Sequence, residues 1–492
     1  MTPLYKKWTS IPPEARARVE AKLGTLTEAH PFELPEPQFT TYACQDACAT
    51  LGVYNALLPR IHSMGLDQVM EMDLAIIPMV CAMMERGMLV DQPHFETLEY
   101  VFGLMLEDKT QEINMLLGPN YSIENVGSDD QLAHLLFDQL HLPFLYLTES
   151  HKRPSVDQET LETIKYLHPA AKKALEWREI ETLLTTFVLP LLKRARSSPD
   201  GRIHPNILLT RQPTGRLTTK QPNLLAIPVM TALGKTIREG FIPSPGYSFL
   251  SVDYSQLEAR VLAHLSKDEH LCHIFNSGGD VFRGMAAEWY GVKSEDINDE
   301  VRYVTKHNFY GIQNGLTAEG LSIRLRGECK CGKVCGCGLR KWTVDRVQEF
   351  MDGFFQAFPG IAEAISRWHA EARATGMVRD MWGRYRYLPQ VRSTKKHVRE
   401  AGLRAAQNFN MPGGASGIMK IAMKLVWDYI QDKASIFPNL QIHDELLFEA
   451  EQGTEESEGQ NIAHLMEGAV KLRVPLVAKY AYSTESWGAI PK

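Results

Sequence analysis

Two aspartates 191 positions apart stand where apolar, β-prone runs stop. Asp253 follows Tyr247 to Val252 in the stretch Ser251-Val252-Asp253-Tyr254-Ser255-Gln256-Leu257-Glu258. Asp444 lies in Gln441-Ile442-His443-Asp444-Glu445-Leu446-Leu447-Phe448, which reads as two short strands bending at His443-Asp444-Glu445. Carboxylates on adjacent strand ends can hold a pair of divalent ions about 4 Å apart, an arrangement suited to in-line phosphoryl displacement. Taken singly, either Asp also suits an ordinary turn. A second group falls on a helix predicted over Val301 to Thr317. Arg302, Lys306, Tyr310 and Asn314 recur there every four residues and stay near one side, while Phe309, Ile312 and Leu316 can face a core. Two cations a turn apart, followed by an aromatic, would grip a triphosphate and cover a sugar or base. A surface helix with solvated charges fits the same spacing. A third group is Cys329, Cys331, Cys335 and Cys337, four thiols in nine residues. They suit tetrahedral thiolate binding of Zn²⁺, although Cys-x-Cys is tighter than the usual Cys-x-x-Cys and a reduced loop is the alternative. Arg324, Arg326, Arg340 and Lys341 flank the cluster and suit a template-strand or partner contact.

These residues need a sizeable scaffold. At 492 residues the chain exceeds one simple core, and 44% hydrophobic with 23% charged residues is a globular balance. A net charge of −6 argues against a generally basic nucleic-acid coat, but it allows a local positive channel offset by acidic residues elsewhere. The longest strongly apolar run, Leu74 to Met84, contains Pro78 and is too short to span a bilayer. Met1 to Ser10 carries no apolar signal core. The expectation is a cytoplasmic chain without a membrane partner.

Residues 1–41 are rich in Pro and charge, with a helical patch near Glu14 to Leu23. From Asp73 to Arg196 the pattern is mostly helical, with long helices predicted over Phe95 to Leu117 and Glu159 to Arg194. Between them Ser150 to Ser155 carries His151, Lys152 and Arg153, a basic tip suited to duplex phosphates, although by itself the segment reads as a helical bundle with a solvated loop. Residues 201–268 alternate strands with Gly/Pro turns, 269–380 turn helical, and 381–492 mix both. The fold class is α+β with several subdomains.

The stretches around Asp253 and Asp444 resemble motifs A and C of family A DNA polymerases, the group of bacterial DNA polymerase I and many phage replicases. Lys306-His307-Asn308-Phe309-Tyr310-Gly311 with Gly315 resembles motif B. The resemblance runs from roughly Glu71 to Trp487 and implies a right-hand fold of palm, fingers and thumb. The expected segments are 1–70 as an N-terminal piece, 71–200 as thumb, 201–268 and 381–492 as palm, and 269–380 as fingers, with the Cys-rich insertion at 328–340. The implied activity is DNA-templated extension of a primer 3′-hydroxyl with dNTPs, using two Mg²⁺ or Mn²⁺ ions held by Asp253 and Asp444. Arg302 would hold the γ-phosphate, and Lys306 would touch the triphosphate and protonate leaving pyrophosphate. Tyr310 would flank the sugar, Glu258 would block a 2′-hydroxyl, and Gln256 follows the nucleotide-binding pattern. Thr214-Gly215-Arg216-Leu217 with Pro222-Asn223-Leu224 is similar to a minor-groove-reading segment, where Arg216 can donate to acceptors that all base pairs share. Arg404 to Asn408 resembles a helix start touching template and primer, His443 matches a primer-end contact, and Glu445 supports the metal ligands.

Several positions depart from the family pattern. Phe282 stands where a phosphate-contacting His is common, Asn314 where a second Tyr is usual, Pro412 for a DNA-contacting Gln, and Gly417 for an acidic residue. Leu225 and Ala226 replace a polar pair. Tyr42-Ala43-Cys44-Gln45-Asp46 resembles the last motif of the family's proofreading exonuclease. The 41 residues before it lack the paired Asp-x-Glu, so the expectation is a chain that does not proofread unaided, with the remnant structural, left by a cut, or completed by a separate exonuclease subunit. The divergence suggests a phage or viral enzyme. A repair or translesion polymerase on the same scaffold, or a weakly catalytic DNA-binding replisome subunit, are the competing readings.

Overall fold

The computed structural model describes residues 36–144, 147–148, 153–228, 231–327 and 341–491, with the backbone alone at 38 and 39. The Cys329 to Cys337 cluster, Arg340, His151, Lys152 and the patch near Glu14 to Leu23 lie outside the described residues. The chain divides into two compact units, one ending at Asp67 and one beginning at Gln68. In the first, a helix over Glu36–Met64 carries Tyr42 and Asp46 one turn apart on an exposed face. The Asp46 carboxylate accepts from the Tyr42 phenol and raises its pKa. Among the described residues no helix is long and apolar enough to cross a membrane.

The second unit is built around one four-stranded antiparallel sheet. Its strands are β1 (Tyr247–Tyr254), β2 (Ile436–Ile442), β3 (Glu445–Glu451) and β4 (Ala478–Ser483), in the order β4-β1-β3-β2. The two central strands carry aromatic and aliphatic residues through their middles, and Phe249, Leu250, Val252, Leu446, Leu447 and Phe448 are fully buried.

Seven helices matter for the site: α1 (Gln92–Leu117), α2 (Pro169–Leu183), α3 (Ala232–Glu239), α4 (Leu257–Ser266), α5 (Val281–Tyr290), α6 (Asp299–Gln313) and α7 (Lys396–Ile430). The 35-residue α7 belongs to two cores. Its first half packs with α4, α5 and α6 through Leu403, Ala406, Phe409 and Met411. Its second half packs beneath the sheet through Ala415, Ile418, Met419 and Met423. A third core, from Ile113 to Trp177, joins the end of α1 to α2.

The middle of α7 explains one departure from the family pattern, Gly417. A Cβ on Gly417 would lie 2.2 Å from the Trp382 indole nitrogen, and one on Gly414 would lie 2.6 Å from Val261. Trp382 donates to the Gly414 carbonyl at 3.0 Å. The indole therefore fills the space that a side chain at 417 would need.

The helix expected over Glu159 to Arg194 is broken. A helix over Gln158–Ile164 stops, and α2 restarts at Pro169, which has no N–H and biases His168 out of helical geometry. A π-helical segment over Leu184–Val188 follows, next to Pro190, whose ring would clash with the carbonyl four residues back. Of the basic tip, the one described cation, Arg153, is paired. Arg153 pairs with Asp130 and lies 3.9 Å from Asp129.

The helical region is joined to the sheet by a buried charge. Glu449 of β3 has no exposed side-chain surface and accepts from Arg86 Nε at 2.6 Å, Ser244 N–H at 2.9 Å and Arg202 at 3.3 Å. Arg86 also stacks over Phe437, 4.2 Å from the ring centre. A carboxylate this deep survives because every side of it meets a donor.

Candidate active site

Asp253 is the penultimate residue of β1 and is exposed at the sheet's end. Glu445 faces it across β3 and Lys479 across β4. Ser251, two residues earlier on the same face, donates to Glu445 at 2.7 Å and fixes that carboxylate on the strand. Between β2 and β3 the chain turns in two residues, His443 and Asp444. His443 takes a left-handed φ of 54°, an uncommon conformation for a side-chain-bearing residue. The Tyr254 N–H donates to the Asp444 carbonyl at 3.1 Å, which ties the turn to the end of β1. The two carboxylates expected to work together are thus brought together, and each feels the other's charge. Burial, with some help from Glu258 and Asp253, pushes the Asp444 carboxyl up to about 7, against the opposing charge of Arg216. Its side chain keeps 23% exposure, so it is reachable from the cleft. The His443 imidazole is held below its ordinary range by burial and by Arg216 and Arg238.

Glu258 opens α4 just after Gln256, whose backbone is left-handed at φ 57°. Both carboxylate oxygens of Glu258 are held: Arg216 donates to one and Gln313 Nε2 to the other. Arg216 also lies 3.9 Å from Asp444. Tyr310 lies near enough to feel the charges of Glu258 and Asp444. Burial, then Glu258 and Asp444, push its phenol up to about 12, so it remains a hydrogen-bond donor at neutral pH. Phe282, in the position where a polar residue is more usual, packs against Tyr310 and Phe309 with ring centres 5.9 and 6.0 Å apart. It supports the aromatic wall instead of offering a donor.

On α6 the expected sidedness is present. Arg302 and Tyr310 are partly exposed and Lys306 is exposed, while Phe309 and Ile312 are buried; Leu316, expected with them, is half-buried and lies beyond the helix end. The helix ends earlier than predicted, and Asn314 is its C-cap. Arg302 is paired with Asp280, a contact the sequence did not suggest. Asp280 also caps α5 by accepting from the Phe282 and Arg283 N–H groups, at 3.0 and 3.1 Å.

A cavity of about 510 Å³ is lined by Arg216, Asn223, Glu258, Asn314, Asn408 and His443, which gathers most of the predicted nucleic-acid contacts. Asn223 accepts from the Thr219 hydroxyl at 2.9 Å. Arg404 is exposed one turn before Asn408, beside Gly315, and both lie well inside α7, not at a helix start. A second cavity, of about 680 Å³, has Asp253, Glu445, Arg238 and Lys479 on its walls. Sequence reasoning missed Gln313 and Arg386. A polar residue beside the buried Ile312 was the available signal for the first. Arg386, which lines the smaller cavity, stands in the alternating Tyr385-Arg386-Tyr387. Among the described residues no group of three or more His, Cys, Asp and Glu is gathered to hold a metal ion.

Comparison with known proteins agrees with this geometry. Residues 92–489 match the model of DNA polymerase family A. The chain is 33% identical over 439 residues to the thermostable DNA polymerase I of Thermus filiformis, covering 89% of this chain and 50% of that protein. It is 34% identical over 440 residues to DNA polymerase I of Mycobacterium tuberculosis, covering 88% and 46%. It spans about half the length of the curated relatives it matches. A solved structure described as the POL domain of Pol1 from M. smegmatis, in complex with DNA primer-template and dNTP, superposes with a TM-score of 0.79 at 32% identity, over 90% of this chain and 75% of that one. With the sheet, the strand-end aspartates and the α6 cations disposed as described, the match has its structural counterpart, a palm, fingers and thumb: the chain belongs to DNA polymerase family A.

Proposed function

We propose that the chain extends a primer 3′-hydroxyl with dNTPs under the direction of a DNA template. The observation that carries this reading is the meeting of Asp253 and Asp444 with the Glu258–Tyr310 pocket at one end of a single sheet. The complex of primer-template DNA and dNTP in the M. smegmatis structure supports it. On this reading residues 71–200 form the thumb, 201–268 with 381–492 the palm, and 269–380 the fingers. Arg302 exchanges Asp280 for the γ-phosphate, and Lys306 neutralises the triphosphate and delivers a proton to leaving pyrophosphate. Tyr310, Glu258 and Gln256 enclose the sugar. Arg216, Asn223, Arg404, Asn408 and His443 contact the duplex, and the template base selects the nucleotide. Purified protein with Mg²⁺ should add the complementary nucleotide to a primer on a defined template. Absence of extension, or addition that ignores the template, would overturn the reading.

The donor set fits Mg²⁺ or Mn²⁺. Asp253 and Asp444 are hard oxygen ligands, and the raised pKa of Asp444 is the signature of a buried carboxyl beside other carboxylates that a cation would relieve. When bound, such ions lower the pKa of the attacking hydroxyl and stabilise charge at phosphorus. This has a pH consequence. With its folded pKa near 7 against an ordinary 3.8, Asp444 holds a proton that the unfolded chain has lost. Its contribution to stability is present at low pH and lost as pH rises through about 7. Mg²⁺ needs the ionised form, so it should raise the melting temperature more at pH 8 than at pH 5.5. Asp444→Asn should remove that difference in thermal-shift measurements.

Cys329, Cys331, Cys335 and Cys337 are proposed to close one structural Zn²⁺ site. Elemental analysis of protein purified without chelator should then find about one zinc per chain. No metal together with four titratable thiols would identify an ordinary reduced loop.

A further inference from the structure

We propose that Gln313 sets the enzyme's discrimination between deoxyribose and ribose by fixing the carboxylate of Glu258, an inference that rests on reading Glu258 as the residue that blocks a 2′-hydroxyl. Gln313 is the last residue of α6 and is 1% exposed. Its Nε2 donates to Glu258 Oε2, while Arg216 donates to Oε1. Its own Oε1 is buried and makes no hydrogen bond. An apolar side chain would avoid leaving that acceptor unmet. The amide is retained at a cost, and the bond it makes in return is to Glu258. Turning the amide over would set oxygen against carboxylate, so the Glu258 charge itself selects the N–H orientation.

The clamp matters because of how a carboxylate excludes a hydroxyl. A glutamate side chain has three rotatable bonds, and one free to swing would give way to an incoming 2′-oxygen. Held at both oxygens, it cannot. The two clamps are not equivalent once DNA is bound. Arg216 is assigned to the minor groove, and when it turns there Oε1 loses its donor. Gln313 is then the donor that stays. It lies three residues after Tyr310 and so on the same side of α6. Any approach of α6 to the sheet brings the aromatic wall and the clamp to the sugar as one unit. Gln313 is a positioning residue, acting on the sugar through Glu258.

The test compares kcat/KM for dCTP and CTP opposite a template dG in four variants: Gln313→Leu, Gln313→Met, Glu258→Ala and the double variant Glu258→Ala/Gln313→Leu. Each Gln313 variant should lower the dCTP/CTP selectivity ratio about tenfold, the loss expected for one charge-assisted hydrogen bond. Glu258→Ala should lower it further, and the double variant should match Glu258→Ala. A merely structural role would reduce both substrates together and leave the ratio unchanged. That outcome, with Glu258→Ala still losing selectivity, overturns the clamp and leaves the gate standing. An unchanged ratio in Glu258→Ala overturns both. A double variant well below Glu258→Ala shows Gln313 acting independently and also overturns the clamp. Two apolar replacements of different shape guard against one of them failing to fold.

Discussion

Asp253→Asn and Asp444→Asn should each reduce primer extension by on the order of 10³-fold or more while leaving primer-template affinity within a few-fold. Each change keeps the size and most of the hydrogen bonding of the side chain but removes one negative charge from the cation site. Metal-supplied charge stabilisation at phosphorus is worth several kcal/mol, and about 4 kcal/mol corresponds to roughly 10³ in rate. Affinity should survive because the duplex contacts assigned above lie on other residues, among them Arg216, Asn223 and Asn408 around the smaller cavity. The Asp444 variant carries an added check. Its neutral side chain suits the buried position better than an ionised carboxylate, so the protein should not lose stability at pH 8. Single-turnover extension and a fluorescence-anisotropy titration on the same preparations separate the two effects. Substantial extension by both variants would remove the two-carboxylate mechanism.

The second large effect concerns the sugar. Glu258→Ala should raise ribonucleotide incorporation by on the order of a hundredfold, because a carboxylate clamped at both oxygens is replaced by space. Tyr310→Phe acts in the opposite sense. The Tyr310 phenol is protonated at neutral pH and lies near Glu258 and Asp444. It can supply the hydrogen bond that a missing 3′-hydroxyl would have made, so the natural chain should accept dideoxynucleotides readily. Removing the phenol should restore discrimination against them by about tenfold or more. Incorporation ratios from competing substrates measure both changes, and flat ratios in both variants would show that the sugar does not sit between these residues.

Much of this site is written in short runs of sequence. Asp253 and Asp444 each sit beside the apolar strand that delivers them, so local pattern locates them. Arg302, Lys306 and Tyr310 share a helix side by simple periodicity. What could not be read are contacts between distant segments. Asp280 looks like a helix cap and is one, yet its second oxygen holds Arg302, 22 residues on. Gln313 looks like one polar residue among apolar ones until Glu258, 55 residues earlier, is brought against it. The helical periodicity over Glu159 to Arg194 runs straight through Pro169 and Pro190, where the backbone interrupts it. Arg153 looked available to phosphate because Asp129 and Asp130, its partners, precede it by more than twenty positions.

The indole of Trp382 seated on the bare backbone at Gly417 constrains the order in which the two positions can be substituted. Two residues that occupy one volume cannot change in either order. A lineage that first gained a side chain at 417 would meet the indole head-on, whereas one that first reduced Trp382 would pass only through a cavity. A side chain at 417 is therefore admitted only once Trp382 has been reduced. The pair acts as a ratchet on the middle of α7, setting the order in which its two positions can be changed.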